Sequence, residues 1–260
     1  MKKLLFITVS LLLLSVAANA QLGKKINSKH ISAATKGVQA LTISDAEIAR
    51  YCQEYIDWMD EHNPVCNVTD SDPGMRAVAE RLAKIVDGYE TENGIKLDIK
   101  AYYVVDINAF ACANGSIRVF AGLMELMSDD EIFGIIGHEV GHIINKDSKD
   151  AFKTALAASA LKDLASSTGS VAQALTDSQL GELGEALANA QFSQKQEYAA
   201  DEYGYNFLKK AGKDPKAMAS ALRVLQGLED DANIDKSKSR QLFSSHPESG
   251  KRAAKLDKKS

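Results

Sequence analysis

Apolar residues recur at two different periods along the chain, and the changes of period mark its elements. Ile48, Cys52, Tyr55 and Met59 follow one another at three- and four-residue intervals, the spacing of one face of an α-helix. Ser44 with Glu47 gives this run a capping-box start, and Asn63-Pro64 ends it. A second helix is expected from Met75 to Val86. After a turn at Glu92-Asn93-Gly94 the period shortens to two: Leu97, Ile99 and Ala101 alternate and run into Tyr102-Tyr103-Val104-Val105, which predicts a strand. Asn108 to Ala111 and Ile117 to Phe120 make two more, separated by an Asn114-Gly115 turn. From Ser128 the helical period returns. Ser128 and Glu131 form a second capping box ahead of Ile132, Phe133, Ile135, Ile136, Val140, Ile143 and Ile144, predicting a helix over 129–146. Further helices are expected over Ala151 to Ala165, Leu180 to Lys210 and Pro215 to Leu228, before a charged loop and Ser244-Ser245-His246-Pro247. The plan is α+β, mostly helical with a small sheet.

The first twenty residues follow neither period. Met1-Lys2-Lys3 precedes a mostly apolar stretch from Leu4 to Val16, and Ala18-Asn19-Ala20 precedes Gln21. This reads as a signal peptide cleaved after Ala20, too short for a membrane-spanning helix. Residues 21–43 are polar and weakly patterned and read as a tether, leaving 44–260 as one domain long enough for a single core. The expected location is a periplasm or the medium, with no transmembrane segment after signal removal, compatible with peripheral association with the cell envelope. Without the signal the chain carries 29 basic and 35 acidic residues, a net charge of −6, and nothing in that balance points to a nucleic-acid partner. Cys52, Cys66 and Cys112 lack the spacing of a redox or metal motif. A buried structural role is expected for each, and Cys66, in a predicted loop, is free to pair with either of the others.

The chemistry is concentrated in the 129–146 helix. His138-Glu139-Val140-Gly141-His142 is an HExxH pattern, which sets two imidazoles one turn apart on the same face, close enough to grip one Zn2+ per chain. Glu139 leans toward the same point and is placed to take a proton from the attacking water and pass it to the departing amine. Gly134, Gly137 and Gly141 lie in the same helix, each costing about 1 kcal/mol against alanine. Close packing of another backbone, such as the helix bearing a further ligand, would offset that cost. Glu197-Tyr198-Ala199-Ala200-Asp201 puts two carboxylates one helical turn apart, a pattern that alone describes a solvated face as well as a site. Of the five histidines, His246 is the best candidate to donate to the oxyanion of a tetrahedral intermediate, with Arg252 nearby as a partner for carboxylates or substrate.

Asn108-Ala109-Phe110-Ala111, Gly115-x-Ile117-x-Val119, Gly122-Leu123-Met124-Glu125-Leu126, HExxH, Glu197 to Asp201 and His246-Pro247 to Arg252, in that order, resemble the HtpX-like zinc metallopeptidases, metallopeptidase family 48. The resemblance runs from about 75 to 256 and is nearest to the small exported members. It implies a zincin-like fold of the gluzincin type, with His138, His142 and Glu197 as zinc ligands, Glu139 as catalytic base, Asp201 in hydrogen-bond support of a ligand histidine, and His246 and Arg252 beside the active site. It further implies that Asn108, Ala109, Phe110 and Ala111 form an edge strand bordering the cleft. An edge strand would hold an extended peptide through backbone hydrogen bonds with little sequence demand. The activity implied is endoproteolysis of unfolded or misfolded envelope proteins. Two rival expectations stand beside it: a zinc-containing periplasmic chaperone or assembly factor with little activity, and a latent enzyme whose cleft is covered by the chain between Ile144 and Gln191.

Overall fold

The computed structural model describes residues 43–162, 174–231 and 236–259. The expected signal peptide and all but the last residue of the expected tether lie outside them. Helix α1 (Asp45–His62) begins where Ser44 Oγ accepts from Glu47 N and the Glu47 carboxylate accepts from Ser44 N, and it stops at Asn63 ahead of Pro64. Helix α2 (Pro73–Ile85) starts two residues earlier than the apolar pattern indicates, because Asp72 caps the amides of Gly74 and Met75 and Pro73 needs no amide partner.

Strands β1 (Thr91–Glu92) and β2 (Ile95–Lys96) form a small hairpin across the Asn93-Gly94 turn. A separate three-stranded sheet has the order β3 (Asp98–Tyr102), β5 (Ser116–Phe120), β4 (Ala109–Ala111), with β3 parallel and β4 antiparallel to the central β5. The expected extension of β3 to Val105 does not form. Tyr103 N donates instead to Pro64 O, and Gly122 N takes up Val104 O, so the chain leaves the sheet and Val105 is exposed. Gly115, in the β4–β5 turn, has φ +95°, and a Cβ there would stand 2.2 Å from Lys96 O; only glycine fits.

Arg118 on β5 is fully buried, and its guanidinium joins Asp60 of α1 at 2.8 and 2.9 Å and Asp98 of β3 at 2.9 Å. Burial raises the Asp60 pKa, but the bonds from Arg118 and Tyr102 outweigh it and hold the carboxyl below its ordinary range. Asp60→Asn keeps the shape and loses the charge, and is expected to cost about 1 kcal/mol near neutrality. Because the folded pKa is depressed, this contribution is complete above the unfolded carboxyl value of about 3.9 and disappears as pH falls through the folded one. Urea unfolding of wild type and variant should therefore converge at low pH.

The remainder is helical: α3 (Ala121–Leu126), α4 (Asp129–Ile144), α5 (Asp147–Lys162), α6 (Asp177–Ala188), α7 (Gln194–Lys210), α8 (Lys216–Asp230), α9 (Arg240–Ser245) and α10 (Ser249–Leu256). The single helix expected over Leu180 to Lys210 is two. Ser193 and Gln196 form a fresh capping box, and Phe192 N is taken by Ser245 O, which breaks the run between α6 and α7. The stretch after Ile144 is likewise not a loop, since α5 and α6 occupy most of its described part.

The main core lies between the sheet and α4, α7 and α8, while α1, α5 and α6 build a second apolar cluster with Cys52, Cys112 and Phe152. Cys66 belongs to the first cluster and the other two cysteines to the second, and all three are free thiols. Cys66 is thus not placed to pair with either of the others. A hydrogen bond with Cys52, and then burial, push the Cys112 thiol well above the ordinary range. Among the described residues no helix is long and apolar enough to cross a membrane.

Candidate metal centre

Helices α4 and α7 meet almost backbone to backbone. A Cβ at Gly137 would lie 2.8 Å from Phe207 and 3.1 Å from Gly204 Cα, and one at Gly141 would lie 3.0 Å from Ala200 Cα. The interior glycines of α4 thus let α7 approach to a distance no larger residue permits. This contact carries His138 and His142 on one helix to Glu197, in the first turn of the other.

The three side chains converge with His246, which follows α9. Donor atoms of His138, His142, Glu197 and His246 all lie within 4.8 Å of one another, and all four residues are buried. His138 Nε2 and His142 Nε2 are 3.1 Å apart, and Glu197 Oε1 is 3.2 Å from His142 Nε2. His246 Nδ1 stands 3.1 Å from Glu197 Oε1 and 3.3 Å from His138 Nε2. Glu139, 3% exposed, faces the same space with Oε1 3.8 Å from His246 Nε2.

Each HExxH imidazole has its own carboxylate on the far side. His138 Nδ1 is 3.0 Å from Asp201 Oδ1, and His142 Nδ1 is 3.0 Å from Asp147 Oδ2. Arg252 grips Asp201 through Nε and Nη2 at 2.9 and 2.6 Å and also contacts Glu197 Oε2 through Nη1. Burial pulls the His138 pKa down, with Asp201 opposing it. Burial acts the same way on His142, but its bonds to Asp147 and Glu197 win and raise it to about 9. Burial would raise the Glu197 and Asp201 carboxyls, yet the charge of His246 with the His142 bond on one, and the Arg252 bond on the other, hold both well below the carboxylate range. Asp147, Gln196 and Phe192, whose ring stacks on His142 at 4.0 Å between centroids, were not legible as site residues. The one signal for Asp147 is an acid five places after the second histidine, where α4 has ended.

Beside this cluster opens a cleft whose lining includes Asn108 to Cys112, Glu139 and His246 together with Phe152, Leu187 and Phe192. Strand β4 is one edge of the three-stranded sheet. Asn108 O accepts from Phe120 N and Cys112 N donates to Ser116 O, so the antiparallel alternation turns the backbone groups of Ala109 and Ala111 to the unpaired side. Asn108, 3% exposed, has a side-chain Nδ2 with no hydrogen-bond partner.

The donor set fits a divalent cation. With both Nδ1 atoms directed at carboxylates, the two Nε2 atoms and the Glu197 carboxylate face a common point, and one proton on His142 can bridge only one of those contacts at a time. Two imidazoles and a carboxylate are the donors of catalytic zinc sites. Such a centre, on two packed helices beside a sheet edge, is that of a metal-dependent peptidase.

Comparison with known proteins gives the particular family. The sequence matches Peptidase family M48 over residues 74–260. It is 35% identical to the metalloprotease LoiP of Escherichia coli K12 over 86% of this chain and 84% of the relative, and 34% identical to the metalloprotease YcaL of the same organism over 93% and 94%. The mitochondrial metalloendopeptidase OMA1 of Arabidopsis thaliana is 30% identical over 63% of this chain and 31% of its own. The chain belongs to peptidase family M48 and is a metal-dependent endopeptidase.

Proposed function

We propose that the protein is a zinc endopeptidase of unfolded or misfolded proteins outside the cytoplasm, delivered by residues 1–20, tethered by 21–43 and active through the domain 44–260. The observation that carries this reading is the edge strand β4, whose Ala109 and Ala111 backbone groups have no strand partner among the described residues, beside Glu139. An extended chain added there is held by the backbone groups of Ala109 and Ala111, and the unpartnered Asn108 amide is available to one of its carbonyls. Such recognition asks for exposed backbone and little sequence, which a folded protein does not offer.

His138, His142 and Glu197 would hold the ion, which when bound supplies Lewis-acid polarisation of the scissile carbonyl. Glu139 takes a proton from the attacking water and returns it to the leaving nitrogen. Asp201 and Arg252 orient His138 and balance the buried carboxylates. His246 stands where it can donate to the oxyanion. The test is to purify residues 21–260, assay bound zinc, and follow degradation of an unfolded protein with and without a chelator. Cleavage that disappears with the metal and returns on adding zinc is expected; zinc-loaded wild type and zinc-loaded His246→Ala that both cut nothing sink the reading.

The closeness of His246 to the donor set favours a second reading of the resting state. Four protein donors close a zinc site, whereas three leave a position for water, so His246 in that place would make the enzyme latent, and α5 and α6 already wall the cleft. As an oxyanion donor, His246→Ala is expected to lower kcat about 100-fold or more with zinc retained. A rise in activity would instead identify His246 as a latch.

A further inference from the structure

We infer that Asp147, clasped by Gln196, is the positioning residue of His142, and that it joins the metal centre both to the helix walling the cleft and to the start of the helix that carries Glu197. The inference rests on the zinc reading above.

Both oxygens of this buried carboxylate are committed. Oδ2 lies 3.0 Å from His142 Nδ1, and Oδ1 accepts from Gln196 Nε2 at 2.9 Å. The Gln196 side-chain oxygen in turn accepts from Ser193 N and Oγ at 2.9 and 2.7 Å, as the capping partner of α7. An unbroken chain of hydrogen bonds therefore runs from His142 through Gln196, the residue before Glu197, to Ser193 at the N-cap of α7. A carboxylate on Nδ1 keeps the proton there, leaves the Nε2 lone pair for the ion and raises the ring's basicity.

The backbone shows that this contact is built in. Lys146 has φ +67°, a left-handed conformation that costs a non-glycine residue on the order of 1 kcal/mol. It turns the chain sharply after α4, so that Asp147, only five residues past His142, points back at that ring. Asp147 is also the first residue of α5, whose Ser148, Ala151 and Phe152 line the cleft. A shift of that wall therefore moves the support of a metal ligand.

An acid in the first turn of α5 could serve merely to complement the helix dipole. Asp150, in the same turn, provides the comparison. Zinc affinity would be measured on the purified protein by chelator competition, for wild type, Asp147→Ala, Asp147→Asn, Gln196→Ala and Asp150→Ala, together with thermal unfolding of each in the metal-free state. Asp147→Ala is expected to bind zinc about 10- to 100-fold more weakly, Asp147→Asn and Gln196→Ala several-fold more weakly on the same scale, and Asp150→Ala like wild type. Equal affinity in Asp147→Ala and wild type overturns the inference, as does an equal loss in Asp147→Ala and Asp150→Ala. Should Asp147→Ala fail to fold, the near-isosteric Asp147→Asn decides, and unchanged affinity there overturns it. A wild type that binds no zinc fails the metal reading itself, a result distinct from all of these.

Discussion

Glu139→Gln is expected to hold its full complement of zinc and to lose proteolysis, with kcat down by about 100- to 10,000-fold, the range for removing a positioned general base. The reasoning is geometric. Glu139 faces the cleft together with Asn108 and His246 but stands outside the converging donor set of His138, His142, Glu197 and His246. Its amide replacement keeps the volume of a residue only 3% exposed, so α4 and the imidazoles it carries have no reason to move. What is lost is a group able to accept the proton of the attacking water. Glu197→Gln should behave in the opposite way, losing the ion first and the activity with it. The pair is informative because in a structural zinc protein with incidental proteolysis Glu139→Gln would keep both the ion and its activity, and only Glu197→Gln would lose them. If Glu139→Gln still cuts within tenfold of wild type, another group is the base and the mechanism is wrong. Metal analysis alongside single-turnover cleavage of an unfolded substrate distinguishes these results.

How far this was legible from sequence differs between the elements. Helix α4 and its chemistry are a local matter: the capping box, the apolar period and HExxH all lie within one stretch, and the three interior glycines already imply a close neighbour. That the neighbour is α7 depends on Gly204, whose complementary role exists only once the helices are packed. The break between α6 and α7 was missed although Ser193-x-x-Gln196 has the same capping logic as Ser44-x-x-Glu47; a glutamine in place of a glutamate, inside a long helix-favouring stretch, carries a weaker signal. The end of β3 was beyond local reading, because Tyr103 gives up the ladder for Pro64 O, a partner almost forty residues earlier. Asp147 was invisible for a related reason. Its meaning comes from the left-handed turn at Lys146, and a lysine does not announce a positive φ.

Gly204→Ala tests whether the fold and the metal centre depend on the same contact. A Cβ at Gly204 would meet Gly134 O at 2.8 Å, Met218 Sδ at 3.0 Å and His138 N at 3.1 Å. The methionine can swing aside. The other two atoms belong to the backbone of α4, and one is the amide of a proposed metal ligand, so relief requires the two helices to separate. Overpacking of this kind costs about 1–3 kcal/mol, against which the helix propensity of alanine returns up to about 1 kcal/mol. Gly227 isolates that second effect. It lies within α8, is exposed, and a Cβ there meets nothing within 4 Å. Gly227→Ala should raise the unfolding midpoint by about 2–4 °C and leave zinc binding alone. Gly204→Ala should lower the midpoint and weaken zinc together, because the separation that relieves the methyl group draws Glu197 away from His138 and His142. The same chemical change thus has opposite signs at two positions. A Gly204→Ala protein with unaltered midpoint and zinc affinity would mean that α4 and α7 are not pressed together, and that the glycines of α4 have another cause.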